Sequence, residues 1–453
     1  MNKSIRSGRW AAVAAAGNEW LTRRVEPHPH LLAAATTLRR KQALSQPMLA
    51  GAGVAFVAAL LALIFHFNRP LPFIPYHDTW EYLHRADVIL SGGAWVDPIR
   101  MPGYPLLLAA VFLFAGRGNL TAADHLEALL FVVAAIEVYW LSYRLWRSTR
   151  FAAVIGLLFA TNFYFLSFFK ALLSDGLATV LALGLALALV VFLERPGAAR
   201  FWTVTLLLLA LIMTRAEWYL VPLLLIPYLL WVAYRRRRAL RLMPHVSLSL
   251  LLIYGVVFLY MELNARLNGY FGLSDAENIN LYGKVTQYRM QGEAPSRYAQ
   301  IMAVTQHFVS KGIADPWGIY RHDPALGKNN FSAMGDYARA IILRHPLAFL
   351  EHSIPLAFRS LYNMYAFANY RPAGHLAGVL HAVEIFSAVV YPLFMLFPIC
   401  ATAWVVLLWR WRRAPRAQRF VAEAVCALSL LAFYDLAVTT LASYNEYGRL
   451  HLD

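Results

Sequence analysis

The chain has 453 residues, of which 60% are hydrophobic and only 15% are charged, and its mean hydropathy is +0.50. These values exclude an ordinary soluble protein, in which about 25% of the residues are charged. The net charge of +16 would suit a nucleic acid, but the basic residues form short clusters between hydrophobic runs, as membrane orientation signals do, so no nucleic-acid partner is predicted.

Apolar runs of about 20 residues recur along the chain, and each could cross about 30 Å of hydrocarbon as a helix. A transmembrane β-barrel would instead alternate polar and apolar residues. The sequence therefore predicts an all-α polytopic integral membrane protein with about nine or more transmembrane helices. The predicted spans are, in chain order, 48–67, 122–146, 151–169, 174–193, 201–214, 219–234, 245–263, 376–409 and 420–441.

The positions of the basic clusters predict the orientation of these spans. The basic N-terminal segment, residues 1–47, should stay in the cytoplasm, which places the first loop, residues 68–121, outside. Residues 48–263 then form an N-terminal transmembrane module. Residues 264–375 contain no spanning run and form an extracytoplasmic loop or lid, and residues 376–453 form a C-terminal transmembrane segment.

The first outside loop carries the polar stretch Pro75–Tyr82, directly after the first span. Asp78 in this stretch would lie at the headgroup level, within reach of water and of a lipid-linked substrate. An alternative is that Asp78 caps a helix whose capping box is completed by Glu81. The apolar run 106–116 that follows is too short to cross the membrane, so it predicts a juxtamembrane or re-entrant helix.

Further polar residues occur near the predicted outside ends of spans, where cations could bind a lipid phosphate. They are Arg100, Lys170, Asp175, Arg215, Glu217 and Arg449. A long cation at a span end can instead snorkel to the headgroups. Plain ion pairs, Lys170 with Asp175 and Arg215 with Glu217, are a further alternative.

The histidines near Asp78 raise the question of a metal site. His77, Asp78, Glu81 and His84 would converge only if they shared one helix face, and their spacing matches no fixed zinc signature. No metal ligand is therefore assigned and no cofactor is predicted, although a divalent ion stays open. Cys400 and Cys426 both fall in hydrophobic segments and form no metal motif.

Three motifs occur together in a characteristic order: the carboxylate after the first span, the run Asp97–Pro105 with its Arg-Met-Pro-Gly-Tyr-Pro core, and Leu172-Leu-Ser-Asp175 opening a span. In these motifs the chain resembles the GT-C superfamily of membrane glycosyltransferases. It is similar in particular to bacterial relatives of the protein O-mannosyltransferases and of the lipid A aminoarabinose transferases. The resemblance covers residues 48–450. The usual Asp-Glu doublet is replaced here by Asp78-Thr-Trp-Glu81, and many relatives continue beyond an arginine placed like Arg449.

The resemblance implies a GT-C-like bundle with juxtamembrane helices in the first outside loop. It also implies transfer of a monosaccharide from a polyprenyl-phosphate donor to a lipid, glycan or protein acceptor on the extracytoplasmic face of a bacterial inner membrane. Asp78 is expected to act as the base of an inverting transfer, with Glu81 as a second catalytic residue. The residues expected to bind the lipid phosphate or the sugar are Arg100, Tyr104, Lys170, Asp175, Arg215, Glu217 and Arg449.

Two other functions are compatible with a polytopic chain that is basic on the inside. A transporter or lipid flippase would show broken helices at matching places in two halves, together with paired charges in mid-membrane. The layout here is lopsided, with polar residues concentrated in the first loop and one large outside segment. A noncatalytic membrane scaffold would leave the polar clusters at the span ends unexplained.

Overall fold

The computed structural model describes residues 29–68, 73–74, 76–236, 239–327, 331–362, 374–395 and 416–444. Within these residues every regular element is a helix. Contacts divide the chain into residues 1–50 and 51–453, and the side-chain contacts below all belong to the second unit. The α-helices are α1 Pro29–Phe67, α2 His77–Leu90, α3 Gly103–Ala115, α4 Leu120–Trp146, α5 Thr149–Ala160, α6 Phe163–Phe169, α7 Ser174–Glu194, α8 Ala198–Thr214, α9 Val221–Arg235, α10 Ala239–Asn268, α11 Ala276–Gln287, α12 Ala299–Ser310, α13 Pro316–His322, α14 Ser332–Arg344, α15 Pro346–Tyr362, α16 Ala377–Met395 and α17 Arg416–Ala442.

Six of the described helical segments are long and apolar enough to cross a membrane: Ser45–Phe67, Leu120–Trp146, Ser174–Glu194, Ala216–Arg235, Leu240–Asn268 and Phe420–Ala442. The pair α5 and α6 makes a seventh if it counts as one span bent by 58°. Shorter apolar helices are Gly103–Ala115, Ala198–Thr214 and Ala377–Val390. The chain is thus an all-helical, multi-pass membrane protein by length and composition.

The expected count of about nine or more spans stays a prediction. One predicted span, 201–214, corresponds to α8, which is only 17 residues long. Another, 376–409, is described only as far as Met395, and its remainder lies outside the described residues.

The bend between α5 and α6 frees backbone groups that side chains bind. Asn162 caps α6, since its Oδ1 accepts from the N–H groups of Tyr164 and Phe165 at 2.9 and 3.3 Å. Ser387 on α16 accepts from the N–H of Phe163 at 2.6 Å, and its hydroxyl lies 3.1 Å from the carbonyl oxygen of Thr161. A broken helix at membrane depth is tolerated only where such partners exist.

The two ends of the bundle carry different ion pairs. At one end Glu194 binds Arg144 at 2.8 Å and also pairs with Arg147, while Arg236 pairs with Glu423. We call this the basic end. The opposite end, which we call the polar end, gathers the last turn of α1 and the first turns of α4 and α7.

Helices α11 to α15, which we call the helical domain, share a hydrophobic core. Helices α11 and α14 pack together through buried residues of this core, among them Ile279, Tyr282, Met334, Tyr337, Ala338 and Ile341. Residues 334–350 are divided at His345 between α14 and α15, and the apolar face of α14 packs on protein.

Lys284 of α11 is buried where this domain meets the end of α17. Its Nζ donates to the carbonyl oxygen of Thr440 and lies 3.4 Å from the hydroxyl of Tyr288. Burial disfavours the charged form and lowers the pKa of Lys284 to about 7.

We expect this burial to make stability depend on pH. Between pH 7 and about 10.5 the unfolded lysine binds a proton that the folded lysine does not, so the free energy of unfolding should rise with pH across this window. Lys284→Met should flatten that rise in thermal unfolding midpoints measured at pH 7, 8 and 9 in detergent. Lys311→Met removes an exposed lysine and should keep the rise. Equal pH profiles for both variants would contradict the assignment.

Candidate active site

The predicted polar stretch forms the start of α2. The helix begins at His77, after Tyr76 in an extended conformation. Thr79 stabilises the first turn of this helix. Its Oγ1 accepts from the N–H of Tyr76 at 3.3 Å and donates to the carbonyl oxygen of Ala171 at 2.6 Å. The alternative in which Asp78 is the N-cap is wrong, because the helix begins one residue earlier and Asp78 lies in its first turn.

Arg100 joins the two predicted catalytic carboxylates. Its Nη2 lies 2.6 Å from Oδ1 of Asp78, and its Nε lies 2.6 Å from Oε2 of Glu81. The side chain of Asp78 is largely buried, whereas that of Glu81 is half exposed. The guanidinium also stands 5.4 Å from the ring centre of Tyr82. Arg100, predicted to bind phosphate, is therefore paired with carboxylates in this structure.

Asp97 sets the backbone that carries Arg100. Its Oδ1 accepts from the N–H groups of Ile99 and Arg100 at 2.8 and 2.6 Å, and its Oδ2 pairs with Arg85. These bonds fold the loop into a tight turn of the Asx kind. The first residue of the run Asp97–Pro105 thus has a structural role, because it orients Arg100, three positions later, toward α2.

Two buried tyrosines extend the site into the bundle. The hydroxyl of Tyr82 lies 2.8 Å from that of Ser174, and the rings of Tyr82 and Tyr104 meet edge to face at 5.1 Å. Tyr104 donates to Glu127 of α4. Burial raises the pKa of Tyr82, so its hydroxyl keeps its proton and can serve as a donor.

Close helix contact places Tyr104. A Cβ added to Gly103 would lie 2.5 Å from Oγ1 of Thr214 and 2.9 Å from the carbonyl oxygen of Met213. Only glycine lets α3 approach the end of α8 this closely, because the nearest atoms include backbone. The glycine of the Arg-Met-Pro-Gly-Tyr-Pro run therefore brings Tyr104 into the polar end.

Arg215 forms the second cation of the site. Its Nη1 lies 3.0 Å from Oδ1 of Asp175, and its Nε pairs with Glu217. The alternative in which Arg215 and Glu217 form an ion pair is confirmed. Asp175 follows Ser174 in the chain, and Ser174 contacts Tyr82. Arg215 and its two carboxylates therefore adjoin the cluster around Arg100.

Lys170 lies deeper. Its Nζ contacts Oδ1 of Asp124 on α4, and both side chains are fully buried. Oδ2 of Asp124 lies 2.7 Å from Nδ1 of His66 at the end of α1. The alternative of a Lys170–Asp175 ion pair is wrong, because Lys170 pairs with Asp124 and Asp175 binds Arg215.

Sequence reasoning missed His66, Asp124 and Glu127. The signal for the two acids was their place in the first turns of an apolar helix, where a carboxylate is costly and marks a polar or functional partner. Nothing in the sequence indicated which partner each acid would meet.

Among the described residues, one cluster has side chains that could bind a metal ion: His66, Asp124 and His125. One ligand atom from each lies within 4.8 Å of the others. This set differs from the one built on His77, Asp78, Glu81 and His84. Asp124 already binds the Lys170 ammonium and His66, so a divalent ion would have to displace or share that carboxylate. A metal requirement stays an open prediction.

Contacts connect the predicted site residues at the polar end. Seven of them belong to the group joined through Tyr82 and Ser174: Asp78, Glu81, Arg100, Tyr104, Asp175, Arg215 and Glu217. Lys170 adjoins this group through its backbone, whose carbonyl oxygen accepts from the N–H of Ile74 at 2.6 Å. Arg449 lies outside the described residues. The catalytic and binding roles of these side chains stay predictions.

Comparisons with known proteins give little further information. No protein-family model matches the chain, and no curated protein matches it. Among solved structures it is similar to the archaeal oligosaccharyltransferase AglB from Archaeoglobus fulgidus, solved with an inhibitory peptide and a dolichol-phosphate, at 12% identity and a TM-score of 0.44 over 89% of this chain and 49% of that one. The chain therefore spans about half the length of that protein. A similarity this low assigns neither fold nor function.

The buried Lys170–Asp124 pair gives a stability prediction. Asp124→Asn leaves an ammonium buried without its counter-charge, and we expect a loss of about 3–5 kcal/mol in the free energy of unfolding, measured by denaturant titration in micelles. The matched control is Asp87→Asn, which breaks the exposed Asp87–Arg117 pair and should cost no more than about 1 kcal/mol.

A double variant separates the charge from the shape of the site. Asp124→Asn combined with Lys170→Met removes both charges and should recover most of the loss. A double variant as unstable as Asp124→Asn alone would show that the pair does not account for the effect.

Proposed function

We propose that this chain is a GT-C-type membrane glycosyltransferase. It would transfer a monosaccharide from a polyprenyl-phosphate donor to a lipid, glycan or protein acceptor on the extracytoplasmic face of the membrane. The observation that carries the proposal is the convergence of Asp78, Glu81, Arg100, Asp175 and Arg215 at one end of the apolar helices. Of these groups Asp78, Arg100 and above all Glu81 are partly exposed, so they would meet water and the headgroup of a lipid-linked sugar, while Asp175 and Arg215 lie buried behind them.

Asp78 is the proposed general base. It would take the proton of the acceptor hydroxyl as that oxygen attacks the anomeric carbon, while the bond from this carbon to the phosphate oxygen breaks and the lipid phosphate leaves with the electron pair. A single displacement of this kind inverts the anomeric centre. Asp78 suits this role better than Glu81, since it is largely buried beside Tyr82 whereas Glu81 is half exposed.

The arginines are the proposed partners of the leaving phosphate. Arg100 and Arg215 are both held by two carboxylates, so they are positioned before a donor arrives. A phosphate that binds Arg100 would compete with Asp78 and free that carboxylate for the acceptor hydroxyl. Donor binding and activation of the base would then be one exchange of partners.

Other groups of the proposed site have supporting roles. Tyr104 and the deeper Lys170 are fully buried, so they are proposed to support the site from within the bundle, and Arg449 is retained as a further phosphate ligand from the family resemblance. The helical domain within residues 264–375 is the part of the chain proposed to select the acceptor. No cofactor is proposed.

Asp78→Asn tests the base directly. The variant keeps the size and much of the hydrogen bonding of the side chain but cannot accept the proton. We expect donor binding within about threefold of wild type and a loss of transfer of at least about 100-fold, measured with radiolabelled polyprenyl-phosphate sugar and isolated membranes as the source of acceptor.

Glu81→Gln is the matched control, because it removes the other carboxylate held by Arg100. It should retain transfer within about tenfold, and it distinguishes loss of the base from loss of the arginine's partner. Near wild-type transfer by Asp78→Asn would remove Asp78 as the base. Movement of label across the membrane without a new glycosidic bond would refute the transferase and support transport.

A further inference from the structure

Helix α15 presents an apolar stripe that no described part of the chain covers. The stripe consists of Leu347, Leu350, Ile354 and Phe358, whose exposed fractions are 79%, 44%, 56% and 59%. Their spacing of three, four and four residues places them within about 80° of the helix circumference. Single exposed apolar residues are common on proteins, but a stripe along one helix face indicates a partner.

The other face of α15 holds the helix in a fixed orientation. Phe349 and Ser353 are buried. The ring of Phe349 meets Tyr288 edge to face at 5.4 Å, and the hydroxyl of Ser353 lies 3.0 Å from that of Tyr288. The stripe therefore faces outward because the opposite side is packed into the core of the helical domain.

The surroundings of α15 identify the partner. It packs against α16 and α17, and α17 contains the candidate span Phe420–Ala442. Helix α16 also exposes apolar side chains, as lipid-facing helices do: Val379, Ile385, Phe386 and Val389. The stripe thus lies beside an exposed apolar surface of the kind that faces acyl chains.

We infer that α15 lies in the outer-leaflet interface, with its stripe inserted at the boundary between headgroups and acyl chains. The helix has 17 residues, about 25 Å in length, which is short for a span. Glu351 is exposed one turn from Leu347, at the edge of the stripe, where only a helix lying along the interface keeps it in water. This inference does not depend on the proposed function, and it ties the helical domain to the surface of the bilayer.

Spin labels on single cysteines test this placement. In a chain with Cys400→Ala and Cys426→Ala, labels are attached after Leu347→Cys, Leu350→Cys, Ile354→Cys and Phe358→Cys, and the protein is reconstituted into phosphatidylethanolamine and phosphatidylglycerol vesicles. Collision rates are measured with oxygen, which concentrates in lipid, and with a water-soluble nickel chelate. We expect the four stripe positions to collide at least threefold more with oxygen, relative to nickel, than the exposed reference Lys311→Cys.

A buried reference completes the experiment. Phe349 lies on the buried face of the same helix, so a label attached after Phe349→Cys should be shielded from both reagents. Stripe labels that collide with nickel as freely as Lys311→Cys would overturn the inference by placing the stripe in water. Stripe labels shielded from both reagents, like Phe349→Cys, would overturn it by showing that protein covers the stripe, whether a second copy or another segment of this chain.

Discussion

The buried pair of Lys170 and Asp124 is the interaction on which the polar end of the bundle depends. Neither charge is tolerable alone among apolar helices, so the end of α6 must stay against the first turns of α4. The backbone next to this pair then holds the first loop: the carbonyl oxygen of Lys170 binds Ile74, and that of Ala171 binds Thr79. The position of Asp78 therefore follows from where a lysine four helices away finds its counter-charge.

The three described cations assigned to the site are all paired with acids. Lys170 binds Asp124, Arg100 binds Asp78 and Glu81, and Arg215 binds Asp175 and Glu217. The two carboxylates at each arginine keep its guanidinium ordered without a ligand, which reduces the entropy that a substrate must offset on binding. Burial distinguishes them: the side chain of Arg100 is 18% exposed and that of Arg215 is 9% exposed, whereas Lys170 is fully buried and has a mainly structural environment.

Sequence reasoning succeeded where a signal is local and failed where it is not. Hydrophobic run length predicted the long helices, and the polar stretch Pro75–Tyr82 indicated a helix start to within two residues of the observed N-cap, Tyr76, because both are properties of neighbouring residues. The Lys170–Asp124 pair joins residues on different helices. The alternative partner, Asp175, is near Lys170 along the chain but binds Arg215. Packing decides which helix ends lie next to each other, for example through the contact that Gly103 permits with Thr214. The periodicity of apolar residues in the sequence does not encode these neighbours.

The break between α5 and α6 has a consequence for biogenesis. The N–H of Phe163 is satisfied by Ser387, a residue 224 positions later in the chain. When the ribosome has inserted α5 and α6, that amide has no native partner, and an unsatisfied amide in lipid costs several kcal/mol. The bend between α5 and α6 is therefore held by Asn162 alone until α16 is inserted and supplies Ser387. A helix made late in synthesis thus completes a bend that lies in the first half of the chain.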